Sequence, residues 1–226
     1  FPGSKKACIV DYRKDMDFLA MDLETIRKDA MASCAGQFER IDTISLHNTQ
    51  KVLQAYKDAR LSSYQFAGTS GYGYSDMGRE KLDEVFARVF KAERALVRPH
   101  FVSGTHALAT VLCALLQKGD RMLSLIGAPY DTMQGVIGYA RHTPRSLIEK
   151  GVVYEEVPLK DNAFDLQAIE AAVSAKQPKL VLIQRSRGYS TRASLNISDI
   201  RTIIRAVKRA SSKTICFVDN CYGEFA

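Results

Sequence analysis

The sequence predicts an α/β protein in which a mostly parallel sheet is flanked by helices and preceded by a helical segment. From about residue 95 onward, short apolar runs alternate with stretches of helical periodicity, as in successive βαβ units. The runs at 122–126 and 180–184 are almost continuously apolar, which is typical of strands buried on both faces. We therefore expect a helical N-terminal segment over residues 1–94 and a sheet domain over residues 95–226.

The composition excludes several classes of protein. The 226 residues are 46% hydrophobic and 25% charged, which is ordinary for a globular protein with one or two domains. A disordered chain, a collagen-like fibre and a small disulfide-stapled scaffold are excluded on this basis. No apolar run approaches the roughly 20 residues that span a bilayer, so we expect no membrane role.

The charge and the cysteines bear on partners and location. With 32 basic and 25 acidic residues, the net charge of +7 favours an anionic partner. The basic residues are spread along the chain without aromatic interleaving, so we do not expect nucleic acid as a partner. An odd number of cysteines, five, and the lack of a signal peptide favour a reducing, cytoplasmic location. The cysteines form no CxxC pair, so they give no indication of a metal site.

Three helices are predicted in the first segment, over residues 17–33, 46–60 and 79–91. The third carries an apolar stripe that we interpret as core packing. A loop over residues 66–80, FAGTSGYGYSDMGRE, separates the last two helices. Its four glycines and two tyrosines argue against regular structure. Such a loop either approaches a ligand or partner chain or is a plain surface loop.

The sheet domain is predicted to contain five strands and four helices. The strands are at 95–97, 122–126, 152–157, 180–184 and 214–218, and the helices at 105–117, 131–140, 165–175 and 198–210. Helix 105–117 is apolar on nearly every side, which predicts a place in the interior or at a subunit interface. Helix 198–210 has a basic face, which we interpret as solvated rather than as a nucleic-acid surface.

Three short motifs lie where ligands bind an open parallel sheet, beyond the carboxyl ends of its strands. Ser103, Gly104 and Thr105 open an apolar helix whose first turn can hold a phosphate, although Ser103 or Thr105 could simply be an N-cap. Tyr130 follows the second strand and can stack on a planar ring, or pack on the core as an ordinary turn aromatic.

The third motif is an aspartate, Asp219, at the end of an apolar strand. A carboxylate buried there is costly unless it is paired, and its partner could be a protonated heterocycle, a salt-bridging cation or a helix N-terminus. A phosphate cradle, a stacking tyrosine and a buried aspartate together suggest pyridoxal 5'-phosphate, which has a phosphate, a flat ring and a pyridine nitrogen that must stay protonated.

Five stretches give the chain a specific resemblance to a known family. They are FAGTSGYGYSDMGRE, ALVRPHFVSGTHAL, PYDT, IQRSRGYSTRASL and CFVDNCYGEF, and they fall between about residues 45 and 226. With them the chain resembles the aluminium-resistance, methionine gamma-lyase-like family of fold type I pyridoxal-phosphate enzymes. The resemblance implies the large domain of an aspartate-aminotransferase-like fold.

The resemblance also implies roles for individual residues. Ser103, Gly104 and Thr105 correspond to the phosphate cup, and Asp219 to the partner of the pyridine nitrogen. Tyr130 corresponds to the ring-stacking residue and to a possible catalytic acid or base for the leaving thiol. Arg185 and Arg187 are candidates to contact cofactor or substrate oxygens. Tyr74 and Arg79 are candidates to reach the cofactor phosphate of a neighbouring subunit, which implies a homodimer or a homotetramer.

The sequence departs from the family at one point. Enzymes of this type hold the cofactor through a lysine beyond the VDNCYGEF segment, and no lysine here, such as Lys160 or Lys213, stands in a matching context. The smaller carboxyl-terminal domain of such enzymes also has no counterpart. The chain is therefore expected to be the front portion of an enzyme.

The function implied is a pyridoxal-phosphate carbon–sulfur lyase acting on a sulfur-containing amino acid, like methionine gamma-lyase or cystathionine beta-lyase. A pyridoxal-phosphate aldolase or aminotransferase, and a non-catalytic fragment or basic binding module, remain as alternatives because a fold does not determine a reaction.

Overall fold

The computed structural model describes residues 22–74, 76–140 and 142–225. The chain separates into two compact units, Phe1–Ala95 and Leu96–Ala226, and each is considered by itself. Within the described residues, no helix is both long and apolar enough to cross a bilayer.

The first unit is helical. Helix α1 spans Leu23–Asp58, a short 3-10 turn spans Ser63–Phe66, and helix α2 spans Met77–Phe90. The prediction of separate helices at 17–33 and 46–60 was wrong in its division, because α1 runs through the gap; residues before 22 lie outside the described part. The gap contains Gly36 but no proline, and one glycine costs a helix only about 1 kcal/mol.

The predicted apolar stripe of α2 packs against the end of α1. Val85 and Val89 are buried with Ala55 and Ala59 of α1, and Val52 packs against them. The other members of the stripe, Leu82, Phe86 and Phe90, are about two-fifths exposed. The core of this unit is therefore small and lies at one end of α1.

The second unit is a parallel α/β sheet, as predicted. Its elements are α3 (Gly104–Leu115), β1 (Arg121–Ser124), α4 (Asp131–Ile137), β2 (Val153–Glu156), α5 (Leu166–Lys176), β3 (Leu180–Gln184), α6 (Ile197–Ala210) and β4 (Ile215–Asp219). The strands pair in the order β2-β1-β3-β4, and every pair is parallel.

The strand predicted at residues 95–97 does not exist. Three residues between Arg94 and the Arg98–Pro99 pair are too few to form a ladder, and the side chain of Leu96 is 63% exposed. The guanidinium of Arg98 donates a hydrogen bond to the carbonyl of Val97 at 2.7 Å. A local side-chain contact therefore takes the acceptor that a neighbouring strand would need.

Two apolar layers cover the sheet, one on each face. Alternate residues of the central strands point to opposite sides: Met122 and Leu180 pack with α3 and α4, and Leu123 and Val181 pack with α5 and α6. Helix α6 buries its isoleucine face and exposes Arg201, Arg205 and Lys208. Of α3, only Leu112 is buried within this chain, so an interior position for the whole helix is wrong, and a subunit interface remains a prediction.

Two glycines of the α4 region make a matched pair. Gly138 ends α4 with φ +84°, and a Cβ there would lie 2.6 Å from the Cβ of Ser146. Gly135 lies inside α4, and a Cβ there would meet nothing within 4 Å.

We expect Gly138→Ala to lower the free energy of unfolding by about 2 kcal/mol, from strain and overlap. Gly135→Ala should leave it equal or raise it by up to about 1 kcal/mol. Urea denaturation measures both, and equal effects would contradict the structural reason.

Candidate functional site

A cavity of about 410 Å³ lies at the carboxyl ends of the strands in the second unit. Thr105 at the start of α3, Tyr130 before α4 and Asp219 at the end of β4 all line it. The other lining residues are Gly104, Asp131, Thr132, Ser186, Gly188, Tyr189, Cys221 and Tyr222. The three places singled out in the sequence therefore contribute to one cavity large enough for a small ligand.

The amino terminus of α3 forms one end of the cavity. Ser103 is its N-cap, because its hydroxyl accepts a hydrogen bond from the backbone N–H of His106 at 3.1 Å. A Cβ added at Gly104 would meet nothing within 4 Å, so the backbone of the first turn borders open space. Unpaired N–H groups and the positive end of the helix dipole suit this place to an anion. Gly104 and Thr105 line the cavity, whereas Ser103 caps the helix and is not among the lining residues.

Hydrogen-bonded hydroxyl groups connect the start of α3 to the start of α4. The Oγ1 atom of Thr105 lies 2.9 Å from Oγ1 of Thr132 and 3.2 Å from the phenolic oxygen of Tyr130. Tyr130 is half-buried and is the N-cap residue of α4. The phenol is thus held at the wall of the cavity, beside the proposed anion site, with a hydrogen-bonded hydroxyl as its neighbour.

Asp219 also lines the cavity and is only 5% exposed. Its Oδ1 atom accepts a hydrogen bond from the backbone N–H of Cys221 at 3.1 Å. No ion pair involves Asp219 within the described residues, and no helix begins there, so neither of these alternatives accounts for its burial. Burial, assisted by the nearby charge of Glu224, raises the pKa of this carboxyl group. A cationic N–H donor would relieve that cost.

The two arginines of the QRSRGYS segment have different surroundings. Arg185 donates from Nη1 to Oδ1 of Asn220 at 2.9 Å and to the carbonyl of Gly223, and from Nε to the carbonyl of Leu195 at 3.2 Å. These bonds fasten the turn that follows Asp219. Arg187 is exposed and lines, with Arg185, an adjoining cavity of about 400 Å³. Ligand contacts for either arginine remain a prediction.

Tyr74 lies on the glycine-rich loop of the first unit, and Arg79 lies in the first turn of α2, which begins at Met77, so the loop predicted over residues 66–80 ends earlier than expected. Arg79 pairs through Nε with Asp76 at 2.8 Å, and its Nη2 donates to the carbonyl of Gly71 at 3.1 Å. Gly71 has φ +79°, which a side chain would strain. Tyr74 is 87% exposed. The loop is therefore ordered around Arg79 and presents its tyrosine to the surroundings.

The sequence reasoning missed three residues of the site: Thr132 lines the cavity, and Gln184 and Arg192 lie behind it, bonded to residues that line it or flank those that do. Thr132 bonds Thr105, the amide of Gln184 bonds Tyr130 and Ser186, and the guanidinium of Arg192 bonds the carbonyls of Gln184 and Ser186. Gln184 carried a usable signal, because it is a polar residue ending an apolar strand, as Asp219 does. Thr132 and Arg192 lie within the PYDT and IQRSRGYSTRASL stretches that carry the family resemblance, but their residue types alone gave no reason to select them.

The second unit has the parallel α/β architecture of the fold type I class, with a helix amino terminus, a tyrosine and a buried acid around one cavity. The structure resembles the pyridoxal-5'-phosphate-dependent protein YhfS from Escherichia coli, with a TM-score of 0.56 at 20% identity over 77% of this chain and 43% of that chain, which supports the fold. A family model, methionine gamma-lyase, matches residues 23–226. The chain belongs to this family.

Individual relatives agree with the assignment. A carbon-sulfur lyase involved in aluminum resistance from Clostridium novyi NT is 42% identical with a TM-score of 0.83, over 97% of this chain and 53% of that one. A proposed cystathionine beta-lyase involved in aluminum resistance from Clostridium acetobutylicum is 40% identical with a TM-score of 0.85, over 95% and 52%. YnbB from Bacillus subtilis (strain 168), of uncharacterised function, is 42% identical over 89% of this chain and 49% of its own length. The chain thus spans about half the length of these relatives.

The burial of the Asp219 carboxyl group predicts that this residue lowers the stability of the cofactor-free protein at neutral pH. Its raised pKa means that the folded state holds the proton more tightly than the unfolded state. This group's contribution to stability therefore falls as the pH rises from the unfolded pKa, about 4, through the folded value. Asp219→Asn should make the cofactor-free protein more stable at pH 7 and flatten that decline. Denaturation as a function of pH measures both, with exposed Asp161→Asn as the control; a loss of stability in Asp219→Asn would contradict this account.

Proposed function

We propose that the protein is a pyridoxal-phosphate-dependent carbon–sulfur lyase that acts on a sulfur-containing amino acid. The observation that carries the proposal is the single cavity lined by Thr105, Tyr130 and Asp219 in a chain of the methionine gamma-lyase family. Two relatives named as lyases, from the two Clostridium species, support the type of reaction. The choice between a beta- and a gamma-elimination depends on the substrate.

The chemistry of the site fits this cofactor at both ends. The first turn of α3, with Gly104 open to the cavity and the hydroxyl of Thr105 beside it, suits a phosphate. The buried carboxyl group of Asp219, bonded by one backbone N–H in the described structure, suits a pyridinium N–H. Tyr130, which lines the same cavity, suits the face of the ring. When bound, pyridoxal phosphate supplies an electron sink for the carbanion formed at the substrate.

The residues of this chain then act on charge and protons. Asp219, ionised, holds a proton on the pyridine nitrogen and so keeps the ring electron-withdrawing. The phenol of Tyr130 donates a proton to the sulfur atom as the carbon–sulfur bond breaks and the thiol leaves. Thr105, 3.2 Å from that phenol, keeps it hydrogen-bonded and oriented before the transfer.

The cofactor and the reaction are tested together in the natural full-length protein. We expect bound pyridoxal phosphate to give a visible absorbance band that is shifted from the band of the free cofactor. Sulfur amino acids should then release a thiol that a thiol reagent detects. Asp219→Ala should reduce turnover by at least about 100-fold, since the ring loses its protonating partner, while changing stability far less.

Several results would oppose the proposal. Binding of the cofactor with transfer of an amino group, or cleavage of a carbon–carbon bond, would indicate an aminotransferase or an aldolase instead. The absence of any absorbance band would indicate a non-catalytic protein. Equal losses of turnover and stability in Asp219→Ala would show that Asp219 is a structural residue.

We also propose a homodimer or a homotetramer in which Tyr74 and Arg79 complete the site of a neighbouring subunit. The exposed phenol of Tyr74 and the loop ordered by Arg79 support this arrangement, because both are available to a second copy. The exposed apolar surface of α3 is a further candidate for the interface.

Mixing two inactive variants tests shared sites. Tyr74→Ala and Asp219→Ala should each be inactive, and an equimolar mixture of the two should regain roughly a quarter of the wild-type sites if subunits pair at random. Tyr72→Ala, in the same loop and 83% exposed, is the control and should be active alone. Recovery of no activity, with mixed oligomers shown to form, would place Tyr74 outside the neighbour's site.

A further inference from the structure

A buried amide joins two walls of the cavity. Gln184 is the last residue of β3 and is only 6% exposed. Its Oε1 atom accepts a hydrogen bond from the backbone N–H of Tyr130 at 3.0 Å, and its Nε2 donates to the carbonyl of Ser186 at 3.0 Å. One side chain therefore connects the central strand to the residue that begins α4 and to the loop that follows β3.

A second buried side chain holds that loop. Arg192 is 4% exposed and donates from Nη2 to the carbonyl of Gln184 at 2.9 Å and to the carbonyl of Ser186, and from Nη1 to the carbonyl of Ala193 at 2.9 Å. No carboxylate forms an ion pair with it in the described parts of the chain. Its charge is thus stabilised by main-chain carbonyls, and these bonds hold the loop where it leaves β3.

The loop also packs directly on the tyrosine. Gly188 has φ +57°, and a Cβ there would lie 3.4 Å from Nε2 of Gln184 and 3.6 Å from the Cβ of Tyr130. Gly188 and Ser186 line the cavity beside Tyr130. The backbone of the loop, the amide of Gln184 and the main chain of Tyr130 therefore form one close-packed group.

The sheet relates this group to Asp219. Gln184 and Asp219 are register partners on neighbouring strands, and the backbone N–H of Arg185 donates to the carbonyl of Asp219 at 2.9 Å. An apolar side chain would satisfy the core at this place, as it does at the four preceding positions of β3. The amide instead sends both its hydrogen bonds to the walls of the cavity, which an apolar residue could not do.

We propose that Gln184 is a positioning residue that sets the place of Tyr130 relative to Asp219, and that Arg192 holds Gln184 and the loop for this task. The importance of Tyr130 rests on the proposed function. The geometry that Gln184 imposes on Tyr130 is testable without it.

The test compares Gln184→Met, which keeps the size of the side chain and removes both hydrogen bonds, with the wild type. In hydrogen exchange of the full-length, cofactor-free protein, we expect the Tyr130 amide to exchange at least about tenfold faster, because its acceptor is gone. Amides of β3 and α5 should keep their protection. In pyridoxal-phosphate titration, the affinity should fall by about tenfold.

Two further variants separate positioning from general destabilisation. Gln184→Glu keeps an acceptor for Tyr130 and loses the donor to Ser186, so it should retain the Tyr130 amide's protection while the 186–190 segment exchanges faster. Exposed Gln167 on α5 is the matched control, and Gln167→Met should change neither measurement. If Gln184→Met does not fold, Gln184→Glu decides alone.

The outcomes distinguish this inference from the proposed function. Unchanged protection of Tyr130 in Gln184→Met would overturn the inference, as would faster exchange throughout the sheet in both Gln184 variants. A wild-type protein that binds no pyridoxal phosphate would overturn the proposed function, and the exchange measurement would still decide whether Gln184 positions Tyr130.

Discussion

The cost of burying a carboxylate dominates the design of this site. Asp219 sits at the end of a strand, almost fully covered, with one backbone N–H donating to it in the described structure. Such a group weakens the fold unless a cationic donor approaches it. Parallel strands bring their carboxyl ends to one edge, so the donor, if it is a ligand, meets whatever the neighbouring strands and helices present there. The buried carboxyl group is therefore the reason to regard this edge of the sheet as a candidate ligand site rather than as an irregular edge.

The rest of the edge consists of polar groups bonded to one another. Ser124, Gln184 and Asp219 end three neighbouring strands, and the first donates to the carbonyl of Gly127 at 2.6 Å. Arg185 bonds the main-chain carbonyl of Gly223, and Arg192 bonds that of Gln184 at the end of β3. The loops that form the cavity are thereby fixed by the strand ends, which allows a site built on loops to have the rigidity of the sheet.

The glycine-rich loop of the first unit also contains a buried acid, but here the acid is paired with a cation of the same chain. Asp76 is buried, caps α2 through the backbone N–H of Arg79, and pairs with that residue's guanidinium. The arginine in turn bonds the carbonyl of Gly71, so the loop closes on itself. Its two tyrosines are left exposed, which is the arrangement expected of a segment that meets a second molecule.

Periodicity in the sequence was enough to determine the parallel α/β class, four of the strands and the helices that cover them, because burial on two faces leaves a pattern in neighbouring residues. It failed at 95–97, where a strand needs a partner that local pattern cannot show, and at α1, where the absence of a breaker mattered more than the weak pattern between the two predicted helices. The strand-end rule located the cavity residues Tyr130 and Asp219, whereas Thr105 was found from the small residues that open an apolar helix, because the strand predicted before it does not exist. The N-cap role of Ser103 was one of two local alternatives that the sequence already offered, but only the tertiary structure decided that Arg185 fastens a turn and that Gln184 holds Tyr130. Those roles depend on hydrogen bonds between residues as many as 54 positions apart, and such bonds leave no local trace in the chain.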